Sequence, residues 1–182
     1  MSAIVQFVTL ISKDGEKYQV PLNVVSPLSK LVNELLIESR EDDDEFAVPE
    51  TNSVTLARII EFCHHQKDNP LGDIPKPIKS QNIKEAVPDW FGNFIEGDGE
   101  SRLPLTQDEL FELLLGANFM QIDPLIELCS ASVVARYIFG KKRPEEIAAA
   151  FHLPGEYKLT PDQEKLLRKQ NPWVDKSDEA QA

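Results

Sequence analysis

Cys63, His64 and His65 are the stretch of this chain where a nucleophile and candidate bases are adjacent. A cysteine nucleophile needs a base within hydrogen-bond reach and a third group that orients the base. Neighbouring residues on a helix point about 100° apart, so Cys63 and His64 would not face each other there. The expectation is a core cysteine flanked by two surface histidines. A metal site would require the fold to carry His152 to His64 and His65, and no carboxylate spacing supports that. The acidic run 41–45 (EDDDE) lacks the glycine and the spacing of a calcium loop. Its five adjacent carboxylates repel one another, so it reads as a solvated loop. The sequence carries no phosphate-cradling glycine loop, nucleophile elbow or zinc-protease helix. No catalytic, metal or cofactor-binding residue is therefore assigned, and an enzyme built on Cys63 and the histidines stands only as the last alternative.

The elements that would hold such residues are clear from the pattern. Residues 4–11 (IVQFVTLI) and 17–20 (KYQV) flank Asp14-Gly15, which reads as a β-hairpin. Ser26 with Pro27 can open a helix whose apolar residues are Leu28, Leu31, Val32, Leu35 and Leu36. Phe46 to Val48 reads as a third strand, and a helix follows from Asn52 or Ser53 to about Gln66. Residues 68–88 carry four prolines and no apolar period, so a mobile loop dispensable for partner contacts is expected there. Asp89 to Ile95 reads as a short helix. Thr106-Gln-Asp-Glu109 is a capping box that opens the next, to about Asn118. Asp123-Pro124 starts a helix through Ile138, stopped by Gly140. Pro144 begins an alanine-rich helix, and Thr160-Pro-Asp-Gln163 is a second capping box.

Composition excludes several classes of function. The 182 residues are 41% hydrophobic and 27% charged, as in an ordinary globular chain. Lys and Arg number 19 against 31 Asp and Glu, a net charge of −12. That field repels phosphate and disfavours nucleic acid or an anionic membrane as partner. The one basic cluster is Lys141-Lys142-Arg143. No uncharged run exceeds 12 residues, whereas a membrane helix needs about 20 apolar ones. The apolar N-terminal stretch has no basic residue before it and no small-residue cleavage site, so no signal peptide is expected. Two distant cysteines make neither a disulfide framework nor a zinc pattern. A reducing compartment, cytoplasm and nucleus, is the expectation. What remains is apolar surface on the later helices, which either completes the chain's own core or forms a groove for a partner's helices.

Six blocks of residues bear on that choice. They are Ser12 to Val20 (SKDGEKYQV); Val48-Pro49 with Ile59 to Asp68 (IIEFCHHQKD); and Pro88, Trp90 and Phe94. Then come Leu110 to Ile122 (LFELLLGANFMQI); Gly140-Lys141 with Pro144 to Ile147 and Phe151; and Trp173. In order and spacing they resemble the Skp-one family, the adaptor subunits of SCF (Skp–cullin–F-box) ubiquitin ligases, over nearly the whole chain. The resemblance implies an α+β fold: a BTB/POZ domain, with a small three-stranded sheet and helices, extended by two C-terminal helices. It implies a cullin-binding part at residues 1–140 and a helical extension at 141–182 that completes the F-box-binding surface. The implied partners are F-box proteins and a cullin, with no catalysis of the chain's own. The positions carried over for the F-box are Leu110, Phe111, Leu114, Ile126, Val134, Ile138, Ile147, Phe151 and Trp173; for the cullin, Asn118 and Phe119. Trp173 is the expected anchor, at a truncation cost of at least about 2 kcal/mol, or roughly thirty-fold in affinity. Self-association of the free protein through its exposed apolar face is a further expectation. An F-box-stabilising subunit outside any ligase, as at kinetochores, is the alternative within the family.

The chain departs from the family pattern in places. Phe62 stands where tryptophan is usual, Gly97–Pro104 is several residues longer, and the proline-rich stretch is less acidic. The tail reads Pro172-Trp173-Val174-Asp175 in place of a tryptophan-cysteine-glutamate run. Lys142 and Arg143 replace a single threonine before Pro144, which removes a cap worth about 1 kcal/mol unless another group supplies it.

Overall fold

The computed structural model describes residues 6–38, 45–153 and 159–171. The chain divides into two compact units, Met1–Gly140 and Lys141–Ala182.

The first unit begins with the hairpin. Strand β1 (Phe7–Ser12) pairs antiparallel with β2 (Lys17–Pro21), Leu10 opposite Tyr18. Gly15 takes φ +86°, which a side chain would strain, and its N–H reaches the Ser12 carbonyl at 2.9 Å. Strand β3 (Glu45–Val48) lies parallel to β1 on its other side, giving the order β2-β1-β3. A parallel pair needs a crossover, supplied by the single turn α1 (Leu22–Val25) and by α2 (Lys30–Glu38). Alternate residues of β1, Val8 and Leu10, face the core.

The start of α2 corrects the reading at Ser26. The chain turns first through α1, and Ser26 gives its N–H to the Leu22 carbonyl at 3.0 Å as the end of that turn. Ser29 opens α2 instead. Its buried hydroxyl accepts the Val32 N–H at 3.2 Å and donates to the Met120 carbonyl at 2.6 Å. One side chain thus caps a helix and ties it to a segment 91 residues later.

Helix α3 (Ser53–Asp68) is capped by the Asn52 side chain, which accepts the Thr55 N–H at 2.8 Å. It buries Leu56, Ile59, Phe62 and Cys63. Helix α4 (Asp89–Glu96) sets Phe91 and Phe94 against Phe62, ring centroids 5.8 and 5.9 Å apart. Helix α5 (Gln107–Phe119) has the expected capping box between Thr106 and Glu109. It approaches α3 at Gly116, where a Cβ would lie 2.8 Å from Ile59 Cδ1, so a larger residue there would push that side chain aside. Helix α6 (Asp123–Val133) packs beside α5 and buries Leu125, Leu128 and Cys129.

Two further expectations are corrected. Residues 68–88 are anchored, not free. Ile74, Ile83 and Val87 are buried, Leu71 and Ile78 pack on the core, and Ile83–Glu85 form a single 3-10 turn. The apolar residues have no period because they insert one at a time between prolines. The helix opened at Asp123 does not run to Ile138 as α-helix either: Val134–Ile138 widen into a π turn, in which the Phe139 N–H reaches the Val134 carbonyl at 2.8 Å. Within the longer Gly97–Pro104 link, the Asp98 carboxylate accepts the N–H groups of Glu100, Ser101 and Arg102 at 2.7–2.9 Å. Of the acidic run, Glu45 is the first residue of β3, its carboxylate 2.7 Å from Lys17; residues 41–44 lie outside the described residues.

The second unit holds α7 (Pro144–Ala150) and α8 (Pro161–Gln170), neither with a buried residue. Arg143 makes no side-chain cap to α7. Glu146 reaches back instead, accepting the Lys142 N–H at 2.9 Å and the Arg143 Nε–H at 3.1 Å. Thr160 and Gln163 form the second capping box at α8.

Candidate functional site

The structure separates the three adjacent residues that suggested chemistry. Cys63 is buried, and burial pushes its thiol up to about 12, so it is protonated at neutral pH. A thiol without a thiolate is a poor nucleophile. Cys129 is buried too, and burial pushes its thiol up as well. His64 points to solvent. His65 lies flat on Trp90, centroids 3.7 Å apart and planes within 8°. Loss of solvation lowers its pKa below the usual imidazole value, against the opposing pull of Asp68 and Glu61. Among the described residues, no group of three His, Cys, Asp or Glu is placed to hold a metal ion. Among them also, no helix is long and apolar enough to cross a membrane.

The apolar surface residues sort differently. Leu110 is fully buried in the core of the first unit, which corrects its placement on a partner-facing surface: it holds α5 in place and offers no area. The i to i+4 relation with Leu114 survives, but Leu114 is only half-buried, packed at the core's edge. Phe111 is half-buried and stacks on Tyr137, centroids 6.4 Å apart. Ile126 on α6 and Val134 at the start of the π turn are half-buried, and Ile138 is 39% exposed. Asn118 is exposed at the end of α5, and Phe119 packs against the core beside it. The chain leaves that helix at Gln121, φ +53°, and the Ile122 N–H closes on the Ala117 carbonyl at 2.9 Å. In the second unit Ile147 and Phe151 are half-buried. Leu166 and Leu167 on α8 are 56% and 43% exposed. Trp173 lies outside the described residues.

Sequence reasoning passed over two features of this surface. The first is Arg136, inside the π turn. Its Nε donates to Glu96 Oε1 at 2.7 Å, and its two terminal nitrogens donate to the carbonyls of Leu105 at 2.6 Å and Ile95 at 3.1 Å. The π turn is thereby fastened to the end of α4 and to the approach to α5. A lone arginine in the run Val133-Val134-Ala135-Arg136-Tyr137-Ile138 was the available signal. The second is a groove of about 600 Å³ between α6 and the proline segment, lined by Ile74, Pro77 and Ile78 on one side and by Ile126, Ala131 and Val134 on the other.

Residues 6–68 match the model of the Skp1 family tetramerisation domain, and residues 123–174 match that of the Skp1 family dimerisation domain. The chain is 32% identical over 168 residues to the E3 ubiquitin ligase complex SCF subunit sconC of Aspergillus fumigatus, covering 92% of this chain and 98% of that protein. It is 29% identical over 171 residues to the S-phase kinase-associated protein 1 homolog of Tetrahymena thermophila, covering 93% and 95%. It is also 29% identical over 170 residues to the SCF ubiquitin ligase complex protein SKP1a of Dictyostelium discoideum, covering 92% and 95%.

Proposed function

This chain belongs to the Skp1 family, and we propose that it is the adaptor that joins F-box proteins to a cullin in an SCF-type ubiquitin ligase, without catalysis of its own. The observation that carries the reading is likeness over more than nine-tenths of the chain to proteins named as SCF subunits. The physical character of the surface supports it. An adaptor needs two binding faces on a rigid body and no reactive group. Here the only thiols are buried and protonated, while apolar side chains lie half-open on α5, α6, the π turn, α7 and α8. In this reading Phe111, Leu114, Ile126, Val134, Ile138, Ile147, Phe151 and Trp173 serve the F-box, with Leu110 as support beneath them. Asn118 and Phe119 serve the cullin. The free protein pairs with itself through the same apolar face. It works in the cytoplasm and nucleus.

Affinity capture of the tagged protein from cells, followed by mass spectrometry, tests this. F-box proteins and a cullin should be recovered together. Recovery of F-box proteins without any cullin would overturn the ligase role and leave a structural subunit. Imaging of a tagged copy checks the compartment.

A further inference from the structure

The proline segment forms a wall. Ile74 is buried at 4% exposure, and Pro77 and Ile78 continue from it along α6. Lys76 Nζ lies 2.6 Å from Glu127 Oε1, which ties this wall to the helix. We propose that the groove between them extends the F-box-binding face, and that residues 74–78 select among F-box partners by admitting aliphatic side chains from one face of a partner helix. The inference rests on the adaptor reading above.

Three observations fix the occupant. First, the groove adjoins the face that the adaptor reading gives to the F-box, because Ile126 and Val134, which that reading assigns to the F-box, also line the groove. Second, the charges at its rim are already paired within the chain, Lys76 by Glu127 and Asp123 by Lys30 at 2.6 Å. The groove therefore calls for an apolar group, not an ion. Third, about 600 Å³ lies within the roughly 300–1,000 Å³ typical of pockets that enclose a compact ligand, which gives room for several aliphatic side chains at i, i+3 and i+4 of one helix. Proline suits such a wall because its fixed φ loses little entropy when a partner docks.

The test is calorimetric titration of the full chain with purified F-box domains and, separately, with the cullin N-terminal domain. Ser130→Leu fills the groove from an exposed helix position, and Pro77→Glu places a charge on its wall. Each should weaken F-box binding by at least about ten-fold and should do so unequally across F-box domains, with cullin affinity and thermal midpoint unchanged. Lys76→Glu should weaken F-box binding through loss of the tie, and the exchange Lys76→Glu with Glu127→Lys should restore it. Ile138→Asp, on the F-box face outside the groove, is the control. If it abolishes F-box binding while Ser130→Leu and Pro77→Glu leave it intact, the groove inference is wrong and the adaptor reading stands. If the native chain binds no F-box domain, both fail. If Ser130→Leu changes only the mass by light scattering, the occupant is a second copy of this chain and the proposal is overturned.

Discussion

Helices α5 and α8 are opened by the same device and end in opposite circumstances. Each starts at a threonine whose hydroxyl accepts an N–H three residues on, and each has a side chain reaching back, Glu109 in one and Gln163 in the other. Helix α5 then buries Leu110, Leu113, Gly116 and Ala117, whereas α8 buries nothing. A helix of ten residues is marginal in water on its own, so the cap of α8 is a larger share of what holds it. The local code starts a helix; tertiary burial decides how much that helix is worth. The described buried core lies in the first unit, while α7 and α8 in the second leave Ile147, Phe151, Leu166 and Leu167 half-buried or exposed.

The sharpest way to break that contrast is to cut into each region. Phe94→Ala in the first unit should lower stability by about 3–5 kcal/mol, the usual loss for a buried phenylalanine. Leu166→Ala on α8 should stay within about 0.5 kcal/mol, as at other exposed positions. Denaturant unfolding of both variants measures the difference, and equal losses would mean that α8 is built into a core.

Arg136→Ala comes next. It strands a largely buried Glu96 carboxylate and two carbonyls, and removal of one partner from such a pair costs about 3–5 kcal/mol at full burial. Because both side chains keep some exposure, 15% and 20%, we expect about 2–3 kcal/mol. Arg136→Lys should recover only part, since an ammonium cannot make all three contacts in the same fork. Full recovery would show that charge alone matters there.

A smaller effect separates the two capping boxes. Thr106→Ala should cost about 1 kcal/mol in global stability. Thr160→Ala should barely move global unfolding, yet it should speed amide exchange in α8, because that helix opens without the rest. Amide exchange followed by mass spectrometry reads both.

The smallest effect is at Asp98. Hydrogen bonds from the Arg102 backbone, the Ser101 side chain and the Glu100 and Ser101 backbones hold its carboxyl well below the usual aspartate value. A lowered native pKa adds stability that is complete above the unfolded value of about 3.9 and is lost as pH falls toward the native one. NMR titration should find Asp98 still ionised at about pH 3, where an ordinary aspartate is mostly protonated. An ordinary titration there would show that the loop Gly97–Arg102 is loose.

Residues whose structure depends on near neighbours were legible in sequence. Asp14-Gly15 specified the hairpin, Thr106 and Thr160 specified two helix starts, and Gly140 marked the end of its segment, with φ +79°. What escaped depends on distant partners. Ser29 outcompetes Ser26 as a cap because the Met120 carbonyl waits for its hydroxyl. The prolines between 70 and 77 suggested a free loop, but Ile74 finds a place in the core that no local pattern announces. The π turn follows from no propensity; it is stabilised where Arg136 meets Glu96 and two carbonyls from other elements. Leu110 has the same type and spacing as a surface residue would, and only tertiary packing puts it inside. Of the candidate site, resemblance supplied the residues to propose, while which of them are buried and which exposed required the fold.

Reconstitution tests the central claim most directly. The purified chain, an F-box domain and a cullin N-terminal domain should form one complex of 1:1:1 stoichiometry by light scattering, with each partner binding as tightly in the presence of the other as alone. Competition between the two partners for this chain, or failure of either to bind it, would contradict an adaptor with two separate faces.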